Sequence, residues 1–588
     1  MSFLKRLAFF FSTELGFFVV LASLLLGLSI SPQIKRQLDT PSDRIFSGLE
    51  FYSDDYSIYV SNIFQGMRGR WTLLDKHTSE PHQGTIIHNE YLLWGKLIGL
   101  FGFDAITAYH LARYTFGLIL LIIVYLFIKE IFPLHQTGSD LSPKSQRTTI
   151  AKRKLAFFLV CFSAGFVIIN RSASGISFDF HINWMTELDV FYRFVALPHY
   201  LLGNIFFLSS LINFLRVAHS KYNLFFGSLS AFLLALVHPV ALVSLLALLG
   251  TYLFFSTLIK FSILLNDFRH SEKISNLKFK IFQSEYLFFI CCLFVSLPVM
   301  LFFRSQFFVP PWNHMAAWEG VTQYYLPLSE FALAVGPTFF LGIIGLVGMF
   351  FSAFLEFKIL LLLLSWPLSF FLLFYFSYPF LHISQVRFMQ VFLFIPFAVL
   401  SAEGIFFLSR LFGMVLKLIN LKLLKNSKFQ IRNYSLLFFI ILIVLICAPG
   451  YYHSLSLKYR FFTDFSPLVY PLKGTVEGYN FLRDKTNPNE VVLAGFLSGT
   501  QIPYFSNNTV YTGHLWATLN RQEKETLQNK FLTNKMTESE ALAFFRQGRI
   551  RYFFNGWQEA SYGIKPERYS FLKPVFQNQQ VVIYQAIY

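Results

Sequence analysis

Charge is what this chain of 588 residues has least of: Asp, Glu, Lys and Arg make up 14%, against about 25% in a soluble domain. Acids are scarcer than bases, 32 against 49. The four cysteines, Cys161, Cys291, Cys292 and Cys447, all lie in apolar stretches, which excludes a disulfide framework and a CxxC metal site. There is no GxxxxGK[ST] phosphate loop, no GxGxxG after a strand, no HExxH and no GxSxG. ATP-driven transport and zinc hydrolysis therefore have no local support. No fixed-period repeat marks a solenoid.

What is present is hydrophobic. Apolar residues make up 55% of the chain, 76 of them Phe, and mean hydropathy is +0.51. Long apolar runs recur, each near the roughly 20 residues that cross a bilayer, so the chain reads as a polytopic α-helical membrane protein. The Phe residues read as lipid-facing and interhelix packing. A net charge of +17 would point to nucleic acid on a soluble protein. Here the bases fall between apolar runs, where the positive-inside rule accounts for them, and no nucleic-acid partner is expected.

About eleven transmembrane helices are expected, at 8–30, 107–131, 155–170, 198–215, 224–237, 239–262, 285–303, 336–354, 359–378, 389–411 and 434–449. Lys5 and Arg6 precede the first span with no small-residue cleavage site, as in an uncleaved signal anchor with a cytoplasmic N-terminus. The loop 133–154, with Lys144, Arg147, Lys152, Arg153 and Lys154, then falls on the cytoplasmic side. So do Arg216 and Lys221, the group Arg269, Lys273, Lys278 and Lys280, Lys358, and the group Lys417, Lys422, Lys425, Lys428 and Arg432. Segments 31–105, 171–197, 304–335 and 378–387 fall outside the cytoplasm. Within the first of these, 55–71 and 91–103 suit helices lying in the interface. His238-Pro239 reads as a tight corner, because Pro cannot continue a hydrogen-bonded helix.

From about 450 the composition turns polar. Helices expected at 475–484, 522–534 and 537–547 interleave with strands at 490–494, 509–512, 550–555 and 580–584, the pattern of a small α/β domain. The chain divides in this reading into a transmembrane domain, 1–450, and a C-terminal extracytoplasmic α/β domain, 451–588.

Among so few acids, the adjacent Asp54 and Asp55 stand out, about twenty residues past the first span. A carboxylate there can take the proton from an attacking hydroxyl or amine; two solvated loop acids are the alternative. A second group is Glu187, Asp189, Arg193 and His199. Glu-x-Asp spacing can hold a hard cation or form a second acidic site, and Arg suits planar phosphate contacts; interface anchoring competes with both. Arg387 lies on the less basic side, where a cation invites an anion such as a lipid phosphate or snorkels to headgroups. His314 and Glu319 in 304–335 carry no local signal.

The acidic pair before Tyr56, then Gly69-Arg-Trp71, Thr78-Ser-Glu80-Pro81, Tyr91-Leu-Leu-Trp-Gly95 and Tyr109-His-Leu-Ala-Arg113, carry a resemblance to the GT-C superfamily of membrane glycosyltransferases, most of all the bacterial branch related to protein O-mannosyltransferases and the lipid A aminoarabinose transferase. Arg193-Phe-Val-Ala-Leu-Pro198-His199 and His238-Pro239 extend it, as do Val491-Val-Leu-Ala, Ile502-Pro503, Val510-Tyr-Thr-Gly-His514 and Arg551-Tyr-Phe-Phe-Asn-Gly-Trp-Gln-Glu559.

The resemblance implies a sugar donor linked to a polyprenyl phosphate or diphosphate, an acceptor that is a lipid, glycan or protein, and a multi-pass place in the inner (plasma) membrane. It implies Asp54 or Asp55 as the base, with Asp-Asp standing where many members have Asp-Glu. It places the donor phosphate near Arg193, His199 or Arg387. The mannosyltransferase-like branch is generally metal-independent, so no cofactor is expected. Single-subunit oligosaccharyltransferases use a metal and a second-loop acidic pair that Glu187-x-Asp189 resembles. The competing readings are a flippase or transporter of lipid-linked sugars and a surface-polysaccharide polymerase or ligase. No half-to-half match of discontinuous helices favours a transporter.

Overall fold

The computed structural model describes residues 13–50, 52–136, 139–140, 142–172, 175–182, 187–266, 272–324, 326–350, 357–390, 394–418, 431–460 and 466–588. Lys5, Arg6, Tyr325, Arg269 and the basic cluster from Lys422 to Lys428 lie outside the described residues. Two compact units form. Unit 1 is Met1–Ile30, Arg113–Met300 and Thr322–Leu457; unit 2 is Ser31–Ala112, Leu301–Val321 and Lys458–Tyr588.

In chain order the main elements begin with α1 (Glu14–Leu38), α2 (Ser53–Met67), α3 (Asn89–Gly99), α4 (Ala105–Ile131) and α5 (Pro143–Phe162). A hairpin of β1 (Val167–Ser172) and β2 (Gly175–Phe180) follows, then α6 (Pro198–Leu215), α7 (Lys221–Val237), α8 (Pro239–Asn266), α9 (Glu272–Gln306) and α10 (Trp312–Val321). Next come α11 (Leu328–Val335), α12 (Pro337–Phe350), α13 (Phe357–Phe376), α14 (Phe394–Leu418) and α15 (Ile431–Arg460). The C-terminal region adds α16 (Lys473–Lys485), β3 (Val491–Leu493), α17 (Phe496–Ser506), β4 (Thr509–Val510), α18 (Arg521–Leu532) and α19 (Glu538–Gln547). It closes with β5 (Ile550–Asn555), α20 (Trp557–Ser561), β6 (Leu572–Gln577) and β7 (Val582–Ala586).

A helix occupies each stretch expected to span, and the chain is a multi-pass membrane protein. Among the described residues seven helices are long and apolar enough to cross a bilayer, eight if the bent pair α11–α12 counts as one. The others fall short for local reasons: α5 opens on a basic, polar turn, α6 carries His199, Asn204 and Asn213, and α7 has 17 residues.

Three boundaries differ from expectation. The third span does not run to 170: α5 ends at Phe162 and Ser163 is extended. The β-branched run Val167-Ile-Ile169 pairs instead with β2, from Val167↔Phe180 to Ser172↔Gly175. At its other end α5 starts at Pro143, so Lys152 and Arg153 are buried helix residues rather than loop charges. Lys152 meets Glu403 at 2.6 Å and Arg153 meets Glu14 at 3.2 Å. The eighth span breaks at Gly336, whose φ of +75 admits glycine readily. With Pro337 next, the chain turns by 96° there. The expected corner at His238-Pro239 is present, between α7 and α8.

Unit 2 joins the first loop to the C-terminal region through backbone bonds: Ile45 N to Pro471 O at 3.0 Å, Ser47 N to Val469 O at 2.8 Å and Val510 N to Lys76 O at 2.8 Å. Its sheet runs β4-β3-β5-β7-β6, with β3 parallel to both neighbours and the last two pairs antiparallel. Alternation along β3 sends Val491 and Leu493 toward Phe531, Phe544 and Phe545 of α18 and α19. Val492 packs on the other face with Val476, Tyr479 and Leu482 of α16 and Ile502 of α17. Three layers, helix on sheet on helix, result. Thr537 and Glu540 close a capping box on α19, worth about 1 kcal/mol.

The helices α2 and α3 pack backbone to backbone through two glycines. A Cβ on Gly66 would lie 2.2 Å from Leu92 O, and one on Gly95 2.1 Å from Ile63 O. We expect Gly66→Ala and Gly95→Ala each to destabilise the protein by about 1–3 kcal/mol. Gly27→Ala, where an added Cβ meets nothing within 4 Å, should leave stability unchanged or slightly raised. Thermal unfolding in detergent checks all three; equal melting of Gly66→Ala and Gly27→Ala would contradict the close packing.

Candidate functional site

Asp54 and Asp55 lie in the first turn of α2, where the helix dipole favours negative charge. The turn is held from three directions in unit 2. Tyr56 donates its hydroxyl to Ser47 O at 2.7 Å and meets the Tyr109 and Tyr504 rings edge-on at 5.1 and 5.6 Å. Ser57 donates to Thr500 O at 2.8 Å. Asp54 is part-buried, and burial raises its pKa above the ordinary carboxylate range. The Ser53 hydroxyl at 3.3 Å, His77, the Leu515 amide and Arg521 offset part of that shift. The result is a carboxylate of raised proton affinity, the property a general base needs.

Beneath it lies a buried Ser57–His77–Asp75 chain, which the sequence reading did not identify. Ser57 Oγ is 2.6 Å from His77 Nε2, and His77 Nδ1 is 3.6 Å from Asp75 Oδ1. Since the Ser57 proton goes to Thr500 O, His77 Nε2 must donate to Ser57 Oγ. That is the reverse of an activated nucleophile, and Ser57 is fully buried. Burial would raise the Asp75 pKa, but the His77 ring and the His77 amide, which donates to Oδ1 at 2.8 Å, outweigh this and hold it below the ordinary range. The chain is a support for α2, not a hydrolytic triad.

The segment 513–521 completes the surroundings of Asp54. Gly513 and Gly499 touch through their backbones: a Cβ on Gly513 would lie 2.4 Å from Gly499 C. This brings His514 against the first loop. Its Nδ1 accepts from Trp516 N at 3.0 Å and Ala517 N at 2.9 Å. Burial, reinforced by His77, pushes the His514 pKa down to about 3. Thr518 Oγ1 accepts from His514 N at 3.1 Å and donates to His77 O at 2.8 Å. Leu515 and Trp516 are each 43% exposed, and Arg521 lies over the Phe496 ring. A histidine directly after a strand-end glycine was the signal available in the sequence. His314 and Glu319 lie on α10, partly buried.

The other expected residues lie in unit 1. Arg193 does not present itself to a phosphate. It is 1% exposed; its Nε donates to Glu187 O at 2.6 Å, its Nη2 to Ser163 O at 3.2 Å, and its Nη1 to Val160 O. The guanidinium stacks on Phe394 at 4.0 Å. Burial lowers its pKa to about 10, leaving it charged at neutral pH. Asp189, expected in a second acidic site, caps the following turn. Its Oδ1 accepts from Phe191 N at 2.9 Å, Tyr192 N at 3.0 Å and the Ser454 hydroxyl at 2.6 Å. Glu187 is buried beside it in sequence.

His199 and Arg387 do come together, around Tyr200. The His199 and His238 rings lie 4.3 and 5.2 Å from that of Tyr200. Arg387 Nη1 reaches the Tyr200 hydroxyl at 3.5 Å. His238 Nδ1 accepts from Ala241 N at 3.1 Å, which fixes the α7–α8 corner. We expect Arg193→Lys to destabilise the protein by about 2–4 kcal/mol, because one ammonium cannot serve carbonyls spread over the end of α5 and the 187–188 backbone. Arg387→Lys should melt as wild type. A paired thermal denaturation checks both, and equal melting of the two variants would contradict the division.

No protein-family model and no curated protein matches the chain. Solved structures do. The apo oligosaccharyltransferase of Archaeoglobus fulgidus matches with a TM-score of 0.53 at 13% identity, over 98% of this chain and 74% of that one. The same organism's AglB, in complex with an inhibitory peptide and a dolichol-phosphate, matches at 0.52 and 13%, over 94% and 70%. The arabinofuranosyltransferase AftD from Mycobacteria matches at 0.52 and 11%, over 97% of this chain and 40% of that one. At such identities the likeness is one of fold, and the chain has the fold of the GT-C membrane glycosyltransferases.

Proposed function

We propose that the protein is an integral-membrane glycosyltransferase that moves a sugar from a polyprenyl-phosphate-linked donor to an extracytoplasmic acceptor. Asp54 carries this reading: a part-buried carboxylate of raised proton affinity, at a helix N-terminus, beside the exposed Leu515 and Trp516. The fold supports it, since AglB is described with a dolichol-phosphate and an inhibitory peptide. In this reading Asp54 takes the proton of the acceptor hydroxyl or amine as it attacks the anomeric carbon, with Asp55 as the competing base. Displacement by an external nucleophile inverts that carbon, and the lipid phosphate leaves with its electron pair. Arg387 and His199, around Tyr200, are assigned to the donor phosphate, and Arg193 to holding the 187–193 turn. Leu515 and Trp516 offer the acceptor an apolar edge. No metal is required. The protein is placed in the inner membrane, N-terminus cytoplasmic and unit 2 extracytoplasmic.

Transfer in proteoliposomes, with a panel of labelled polyprenyl-phosphate sugars, tests the reading. Asp54→Asn should lower kcat at least 100-fold with donor binding retained, and Asp55→Asn should do less. The acid limb of kcat/KM should lie above the ordinary carboxylate range, because burial raises the Asp54 pKa; the rate rises with pH as Asp54 loses its proton. Arg387→Ala should raise the donor KM about tenfold, and EDTA should change nothing. Wild-type rates in Asp54→Asn and Asp55→Asn alike would overturn the proposal.

A further inference from the structure

We infer that the outer face of α3, with Trp71 beside it, is a docking surface for the bilayer, lodged in the headgroup layer. Which leaflet this is rests on the proposed placement of unit 2; the docking itself is independent of Asp54. From Tyr91 to Leu100 only Lys96 is charged, and the helix is apolar on both sides. Tyr91, Leu92, Gly95 and Ile98 are buried, with Gly95 in backbone contact with α2. Leu93, Leu97 and Leu100, spaced i, i+4 and i+7, form a second stripe that is exposed, Leu100 at 82%. Phe101 and Phe103 prolong it, both exposed. A helix that is hydrophobic all round keeps both sides out of water, and a contiguous apolar patch of this kind marks an interaction surface.

The surroundings of the stripe name lipid as the occupant. Trp94 Nε1 donates to Ala108 O in the first turn of α4 at 2.7 Å, which ties α3 to a helix long and apolar enough to cross a bilayer. The 27 residues of α4 rise about 40 Å, against a hydrocarbon core of about 30 Å. Its first turn therefore reaches the headgroup layer, and Trp94 holds α3 at that level. Trp71, 68% exposed, lies under Lys96 Nζ at 4.0 Å, with Arg70 next to it in sequence. An indole with bases beside it suits the boundary between acyl chains and lipid phosphates. Asp104, the acid at the end of the stripe, is turned onto the start of α4, where it accepts from Thr107 N at 2.9 Å and Thr107 Oγ1 at 2.7 Å. It leaves the basic side of the patch to the phosphates. Because α2 packs on α3 through Gly66 and Gly95, the docked face sets the height at which α2 stands over the bilayer. In the proposed reaction that is the level at which a lipid-linked donor carries its phosphate.

Nitroxide labels on the full chain test the inference, in liposomes of phosphatidylethanolamine and phosphatidylglycerol with no donor present. The labels are carried by Leu97→Cys, Leu100→Cys and Asn529→Cys, the last at an exposed position of α18. Each is made in a Cys291→Ser background, since the other three cysteines are buried. The labels at 97 and 100 should collide freely with oxygen, be shielded from a water-soluble nickel chelate, and lie about 5–10 Å below the phosphates. The label at 529 should show the reverse. Nickel access at 97 and 100 equal to that at 529 would put the face in water and overturn the inference. Shielding from both reagents would put it against protein, a partner or a second copy, and overturn it as well. Neither readout involves turnover, so full activity in Asp54→Asn would overturn the reading of the base and leave the docking standing.

Discussion

Four consecutive polar residues, Asp75 to Thr78, run through the interior of unit 2, and burying them is tolerable only because each is hydrogen-bonded. Lys76 accepts from Val510 N through its carbonyl, while its ammonium reaches Pro488 O at 2.8 Å and Asn489 Oδ1 at 3.2 Å. Burial still drops the Lys76 pKa to about 7. The His77 carbonyl takes the Thr518 hydroxyl, and Thr78 Oγ1 takes Leu519 N at 3.1 Å. Because the acceptors and donors come from the C-terminal fold, the segment has one place to go. The turn carrying Asp54 and Asp55 then inherits that place through Ser57 and His77.

The same economy of charge governs unit 1. Among the described residues, three of its interior charges are paired: Lys152 with Glu403, Arg153 with Glu14, and Lys358 with Glu285 at 3.1 Å. Such pairs add little net stability but penalise any arrangement that separates them. Arg193 follows the same logic with carbonyls in place of a carboxylate. Its fork of donors ties the C-terminal end of α5 and the 187–188 backbone into one knot, a task that needs planarity and permanent charge.

Local patterns carried much of this into the sequence. The Thr537-to-Glu540 spacing announces the start of α19, His238-Pro239 announces a corner, and the apolar runs announce the membrane helices. Where tertiary context decides, local pattern fails. The run from 155 looks apolar to 170, yet its β-branched end pairs as a hairpin. The helix α17 carries Pro503 within it and β6 carries Pro574, so propensity argues against both. Asp54 and Asp55 were visible as an acidic pair amid scarce acids. Their neighbours were not, because Ser57 and Thr500, or His77 and Thr518, are more than 400 residues apart. Arg193 and Asp189 show the converse: residue type suggests a ligand, and only burial shows that the partner is the chain itself.

The joining of residues 43–47 to 469–473 has a consequence for how the protein is made. A ribosome delivers the first loop long before its partners, at about 5–20 residues per second. For that interval the Ile45 and Ser47 amides and the whole buried segment 75–78 have no C-terminal strand or turn to meet. Unit 2 therefore matures only after α15 has emerged, with the high contact order that makes folding slow. Chains interrupted before residue 458 would hold an inserted membrane region beside an unfinished acidic turn. Formation of the acidic turn is thereby tied to delivery of the segment 469–518, a form of quality control that needs no separate regulator.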